Sequence, residues 1–171
     1  VPEPVDRGFI LFNWTYDTRN IIVRNCFFHD NRARGILLLG RDITLENNHF
    51  RHNDMGAVKI ETGYTFNLWS EGYGADNIVV RNNRFDGVNP RDVGNDGKAR
   101  DIYMGVYMKT DPSTQRTDYP ILSNILFENN TFKDSYGLVA FISSAAIGFI
   151  GAFLGRYAVE LGEGQNLVGV L

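Results

Sequence analysis

Apolar and polar positions recur along this chain as one repeated motif. Four segments align without gaps: NIIVRNCFF from Asn20, DITLENNHF from Asp42, NIVVRNNRF from Asn77 and NILFENNTF from Asn124. Within each, the second and fourth positions are apolar, the two-residue period of a strand with one buried face. Ile21, Ile43, Ile78 and Ile125 form one inward column, and Val23, Leu45, Val80 and Phe127 the next. Phe28, Phe50, Phe85 and Phe132 form a third. Units repeated at this spacing cannot bury an apolar face alone and must stack on one another. The motif starts lie 22, 35 and 47 residues apart, so loops interrupt the later coils.

The polar columns fix the stacking. Arg24, Glu46, Arg81 and Glu128 alternate in sign, so like charges never meet if the coils stack in parallel. Asn25, Asn47, Asn82 and Asn129 hold the turn after the strand. Asparagine tolerates left-handed backbone there, and stacked amides can bond along the column as a ladder. The sequons at Asn13 and Asn129 are expected to belong to this framework rather than to carry glycans. A second strand accompanies each repeat: GFILFN, GILLLG, GAVKIE, MGVYMK and GLVAFI. Aligned on these segments, Ile10, Leu37, Val58, Val106 and Val139 point inward, followed by Phe12, Leu39, Ile60, Met108 and Phe141. Outward rows then hold Leu11, Leu38, Lys59, Tyr107 and Ala140, and next Asn13, Gly40, Glu61, Lys109 and Ile142.

The fold expected is all-β: a right-handed parallel β-helix of about four to five coils with loops inserted between them. It should cover residues 1–144, with an atypical tail at 145–171. The tail reads AAIGFIGAFLGRYAVELGEGQNLVGVL, without the Asn–apolar–x–apolar–x–Asn–Asn–x–Phe spelling of the repeat. An irregular or helical cap, a membrane-adjacent segment, and an unnatural end from truncation or a frame error compete for it, the last slightly favoured. No membrane insertion is expected, because what remains after the strand GLVAFISS is too short to span a bilayer.

Composition adds limits. At 43% hydrophobic and 22% charged, the chain is globular, and a net charge of -3 without a basic stripe argues against nucleic acid. The single cysteine, Cys26, cannot form an internal disulfide and is expected as a small buried residue. The chain opens on Val1 rather than Met, so it reads as cut from a longer protein.

The stretches "RARGILLL", "ITLENNHF", "GAVKIETG", "WSEG" and "NIVVRNNRF" resemble the right-handed β-helix carbohydrate-active enzymes of the pectin-lyase-like superfamily. The nearer likeness is to bacterial β-helix glycoside hydrolases of the exo-α-galactosidase type. In those a Gly-rich strand is followed by a Trp–x–Glu–Gly loop and another NN–x–F coil, a pattern that here spans Gly56 to Phe85. The resemblance implies a carbohydrate substrate and an extracellular or periplasmic setting. It also implies catalytic aspartates from coils nearer the N-terminus, and no matching cluster stands in this chain.

A filled core confines chemistry to the outer wall and the loops. Three loops are expected, at Thr62–Asp76, Val88–Asp101 and Thr110–Ser123. Glu61 and Glu71 flank the first. They are the candidate catalytic pair, since a glycosidase needs two carboxyls roughly 5–5.5 Å or ~6.5–9.5 Å apart. A surface ion pair between Glu61 and Lys109 and a loop-capping Glu71 are the structural alternatives. Trp69 offers either a sugar platform or packing for its own loop, and Lys59, Tyr107 and Lys109 complete the candidate binding set. His29, His49 and His52 lack zinc-site spacing, and no cofactor is implied. A calcium reading of Asp92, Asp96 and Asp101 lacks EF-hand spacing. A glycoside hydrolase, a non-catalytic carbohydrate-binding or adhesin solenoid, and a polysaccharide lyase with Lys59 or Lys109 as base are the three functional readings.

Overall fold

The computed structural model describes residues 13–65, 69–72, 74–90, 100–109, 121–135, 138–142, 153–154, 158–160 and 166–170. The first coil holds β1 (Arg19–Arg24), β2 (Phe27–His29) and β3 (Ile36–Leu37), and the second β4 (Gly40–Glu46), β5 (His49–Arg51) and β6 (Val58–Thr65). After a short excursion, β7 (Trp69–Glu71), the third coil holds β8 (Ala75–Arg81), β9 (Arg84–Asp86) and β10 (Ile102–Lys109). The fourth holds β11 (Leu122–Glu128), β12 (Thr131–Lys133) and β13 (Leu138–Ile142), and the fifth β14 (Phe153–Leu154), β15 (Ala158–Glu160) and β16 (Asn166–Val170). Corresponding strands of successive coils pair in parallel, giving three sheets: β1-β4-β8-β11-β14, β2-β5-β9-β12-β15 and β3-β6-β10-β13-β16. The molecule is a parallel β-helix.

The corners explain the spelling of the repeat. Asn20, Asp42, Asn77 and Asn124 open the motif at φ 51 to 56°, and Asn25, Asn47, Asn82 and Asn129 end its first strand at φ 52 to 57°. A third left-handed column, Asp30, His52, Gly87 and Asp134, follows the phenylalanines. Asn, Asp and Gly reach this conformation at the lowest cost, so each bend of the coil selects them. Between the bends the columns fall as expected from the second coil on, Ile21 of the first coil being 37% exposed. Ile43, Ile78, Ile125, Leu45, Val80 and Phe127 are buried. The Phe28, Phe50, Phe85 and Phe132 rings stack in parallel at centroid distances of 4.9, 5.2 and 4.7 Å. On the outside, Arg81 bonds Glu46 at 2.7 Å and lies 3.9 Å from Glu128.

The amide ladder stands one residue beyond the expected column. Asn25, Asn47, Asn82 and Asn129 are the bends; the ladder is built by the following residues, Asn48, Asn83 and Asn130, all at most 2% exposed. The Asn83 Oδ1 accepts from the Asn48 backbone N at 2.9 Å and its Nδ2 at 3.1 Å, and Asn130 Oδ1 takes the same two bonds from Asn83. Each Nδ2 also donates to the carbonyl of Val23, Leu45 or Val80 in the preceding coil. The left-handed residue turns its own side chain out of the coil, whereas the next one points in, where an unpaired peptide would be costly. Cys26 holds this ladder position in the first coil. It is exposed, contrary to expectation, and its N–H bonds Asn48 Oδ1 at 2.9 Å. Asn13 also leaves the framework: it caps a 3-10 turn at Trp14–Tyr16, its Oδ1 accepting the Thr15 N–H at 2.9 Å.

The third sheet corrects the expected register. Ile36 pairs with Val58 and Leu37 with Lys59, so Ile36 and the buried Leu38 are the inward residues, not Leu37 and Leu39. In the next coil Val58 pairs with Ile102 and Ile60 with Met104, a four-residue displacement from the Val58–Val106 alignment. The corner sets it: the N–H groups of Ala57 and Val58 both donate to the Asp101 carbonyl, and a side chain at Gly56 would collide with the Arg100 carbonyl. Glu61 therefore pairs with Gly105, and Lys109 with Thr65, so the expected Glu61–Lys109 row is not formed. The tail also differs from a helical cap. Its described residues are strands, with Phe127 opposite Leu154, Phe132 opposite Val159 and Ala140 opposite Val168. Apolar residues at core register positions suffice for pairing there without the Asn and Phe of the motif.

Candidate functional site

Strand β6 alternates between the core and the outer wall. Val58 and Ile60 belong to the core, and Lys59 and Glu61 face the other way. Both are nonetheless buried, at 4% and 7% exposure. Lys59 Nζ lies 3.8 Å from Glu61 Oε2 and 5.1 Å from the centre of the Tyr103 ring, so Glu61 has an ion-pair partner on its own strand. Two charges this far from water need each other: removing one partner of a buried pair leaves an uncompensated charge.

The segment expected as a loop from Thr62 is partly strand. Thr62–Thr65 prolongs β6, and β7 returns antiparallel beside it, pairing Gly63 with Glu71 and Thr65 with Trp69. The Thr62 hydroxyl donates to the Glu71 carbonyl at 2.7 Å and ties down the return. Glu71 thus takes the position diagonal to Glu61, a step of roughly 7–8 Å between such positions. On the other edge of β6, Tyr107 pairs with Gly63 and Lys109 with Thr65. All six candidate residues therefore sit on three adjoining strands. The side chains of Trp69, Tyr107 and Lys109 lie outside the described residues, as do Asp92 and Asp96.

A groove of about 190 Å³ opens on the far side of the Glu71–Gly74 return. Its wall is a register row across three coils, Arg41 beside Asp76 beside Ser123, and Trp14 and Tyr16 stand at its mouth. Arg41 Nε is 2.5 Å from Asp17 Oδ2, and the Arg41 guanidinium lies 4.8 Å from the centre of the Trp14 ring. Asp76 Oδ1 accepts the Ser123 hydroxyl at 2.6 Å and Asn124 Nδ2 at 2.7 Å. None of these groove residues is among the sequence candidates. Trp14 precedes the first repeat, and Arg41, Asp76 and Ser123 become neighbours only through stacking.

Asp101 is fully buried, and its carboxyl accepts the Ser135 hydroxyl. Loss of hydration pushes its pKa up to about 8, against the smaller opposing effects of Ser135 and Arg100. Two of the three histidines meet Asp30 at one corner, His29 Nδ1 at 2.8 Å and His52 Nδ1 at 3.4 Å, whereas His49 Nε2 lies 3.8 Å from Asp86. Among the described residues no three His, Cys, Asp or Glu side chains are grouped to hold a metal ion. Among them, too, no helix is long and apolar enough to cross a membrane.

Comparison with known proteins agrees with this geometry. The family model for the right handed beta helix region matches residues 10–151. Alpha-1,3-galactosidase A of Shewanella woodyi is 32% identical over 136 residues, and alpha-1,3-galactosidase B of Bacteroides thetaiotaomicron 29% identical over 133. Each alignment takes in 77% of this chain and 20% of the relative, so the chain spans about a fifth of the length of the curated relatives it matches. No solved structure matches the chain.

Proposed function

The chain belongs to the right-handed β-helix family, and from that premise we propose that it forms part of the active wall of a glycoside hydrolase. The substrate class is a glycan or polysaccharide bearing terminal α-galactosyl groups, in keeping with the two relatives. The setting is extracellular or periplasmic. The carrying observation is the β6–β7 register, which puts Glu71 diagonal to Glu61 on the strand that holds Lys59.

In this reading Glu61 and Glu71 are the carboxyl pair acting across one glycosidic bond. The anomer released distinguishes an inverting pair, ~6.5–9.5 Å apart, from a retaining pair at roughly 5–5.5 Å. Lys59 positions Glu61, in a buried setting where charge interactions are strong. Trp69, Tyr107 and Lys109, on the flanking strands, contribute substrate contacts.

The test is turnover of aryl α- and β-galactosides by the protein. Glu61→Gln and Glu71→Gln should each lower kcat by about 10²–10⁴. Full turnover in both variants defeats the assignment. A Tm loss at unchanged kcat per folded molecule would identify the Lys59–Glu61 pair as structural. Unsaturated products absorbing in the near ultraviolet would indicate a lyase instead.

A further inference from the structure

The groove between the Trp14–Tyr16 turn and the Arg41–Asp76–Ser123 row has no part in the proposed hydrolysis. Its residues carry unspent bonding capacity. Arg41 Nε lies 2.5 Å from Asp17 Oδ2, its guanidinium faces the Trp14 ring at 4.8 Å, and its two Nη groups have no hydrogen-bond partner among the described residues. Asp76 takes two hydrogen bonds on Oδ1, which fixes the carboxylate and leaves Oδ2 without a described partner. Trp14 and Tyr16 are 52% and 85% exposed, an uncommon outlay of aromatic surface beside a polar row.

We propose that this groove is a binding subsite for one neutral pyranose ring of a glycan. The C–H face of the ring lies against the aromatic mouth, where ring edges and faces give apolar contact next to polar groups. Vicinal hydroxyls bridge the Arg41 fork, which donates, and Asp76 Oδ2, which accepts. The charge balance selects a neutral sugar. Asp17 and Asp76 outnumber Arg41, so a uronate would meet two carboxylates for one cation. The volume of about 190 Å³ is smaller than the roughly 300–1,000 Å³ of drug-sized sites and suits a single ring. The row spans the second, third and fourth coils, so the site exists only in the stacked solenoid.

The choice of a sugar rests on the carbohydrate reading above, but binding here is independent of hydrolysis. The experiment is saturation-transfer NMR on the protein with methyl α-galactopyranoside, methyl β-glucopyranoside and galacturonate. A neutral pyranoside should receive saturation at its ring C–H protons. Trp14→Ala and Tyr16→Ala should each weaken that binding about three- to tenfold, with Tm unchanged in Tyr16→Ala, whose ring is 85% exposed. Glu61→Gln and Glu71→Gln should leave it as it is, even if they prove to lack any effect on turnover. Transfer that survives both aromatic substitutions, transfer lost only in the glutamate variants, stronger binding of galacturonate, or no transfer to either neutral sugar would each overturn the proposal.

Discussion

Asp101 is a carboxyl buried at a coil corner with the Ser135 hydroxyl on it. Burial raises its pKa to about 8, so near neutrality the folded protein holds a proton that the unfolded chain, titrating near 3.8, has released. Stability therefore falls as pH rises through the window from about 4 to about 8, by at most ~1.4 kcal/mol per pH unit, and levels off above it. Asp101→Asn should flatten this slope while keeping an acceptor for Ser135. Denaturation free energies of both proteins at pH 5 and pH 8 would check it, and parallel slopes would refute it. Nothing in the sequence marks Asp101 out from the other aspartates of its loop, because its burial depends on a coil corner and on Ser135 a full coil later. Asn83 and Cys26 show the same limit. The repeat announces the asparagines, but which of two adjacent ones turns inward depends on backbone angles at the bend.

At the scale of the element, the first two sheets were legible and the third was not. Strands β1, β4, β8 and β11 share one ungapped motif with its turn residues, so column and register follow together. The phenylalanines of β5, β9 and β12 inherit that register. Phe85, stacked between Phe50 and Phe132 and fully buried, has no room to relax around a void. Phe85→Ala should cost about 3–5 kcal/mol, read from the denaturant midpoint at constant m-value. Strands β6 and β10 are joined through long insertions, and glycine-led segments such as GAVKIE and MGVYMK align equally well in more than one frame. There the corner bonds of Asp101 decide. The catalytic candidates felt this directly. Glu61 and Glu71 remain neighbours through the hairpin, whereas Lys109, matched to Glu61 by alignment, pairs with Thr65.

Among the described residues the strands of each coil pair only with those of the coils on either side, β7 apart, so stability is a sum of rungs and of the contacts between them. The Asn48–Asn83–Asn130 ladder links three of those rungs at the core. Asn83→Leu deprives Asn48 and the Leu45 carbonyl of their partners, each unsatisfied group costing about 1–3 kcal/mol. Native-state hydrogen exchange should then show the coils before and after Asn83 opening separately, where the parent protein opens as one unit; a single cooperative opening in the variant would argue against the coupling. The Nδ2 groups of Asn48 and Asn83 each donate to the Oδ1 of the next coil's asparagine, so the ladder has a direction. In growth terms the protein behaves as a one-dimensional crystal. The last finished layer exposes two donors that dictate where the next carboxamide docks, so order is copied forward from layer to layer, in the direction in which a ribosome delivers the chain.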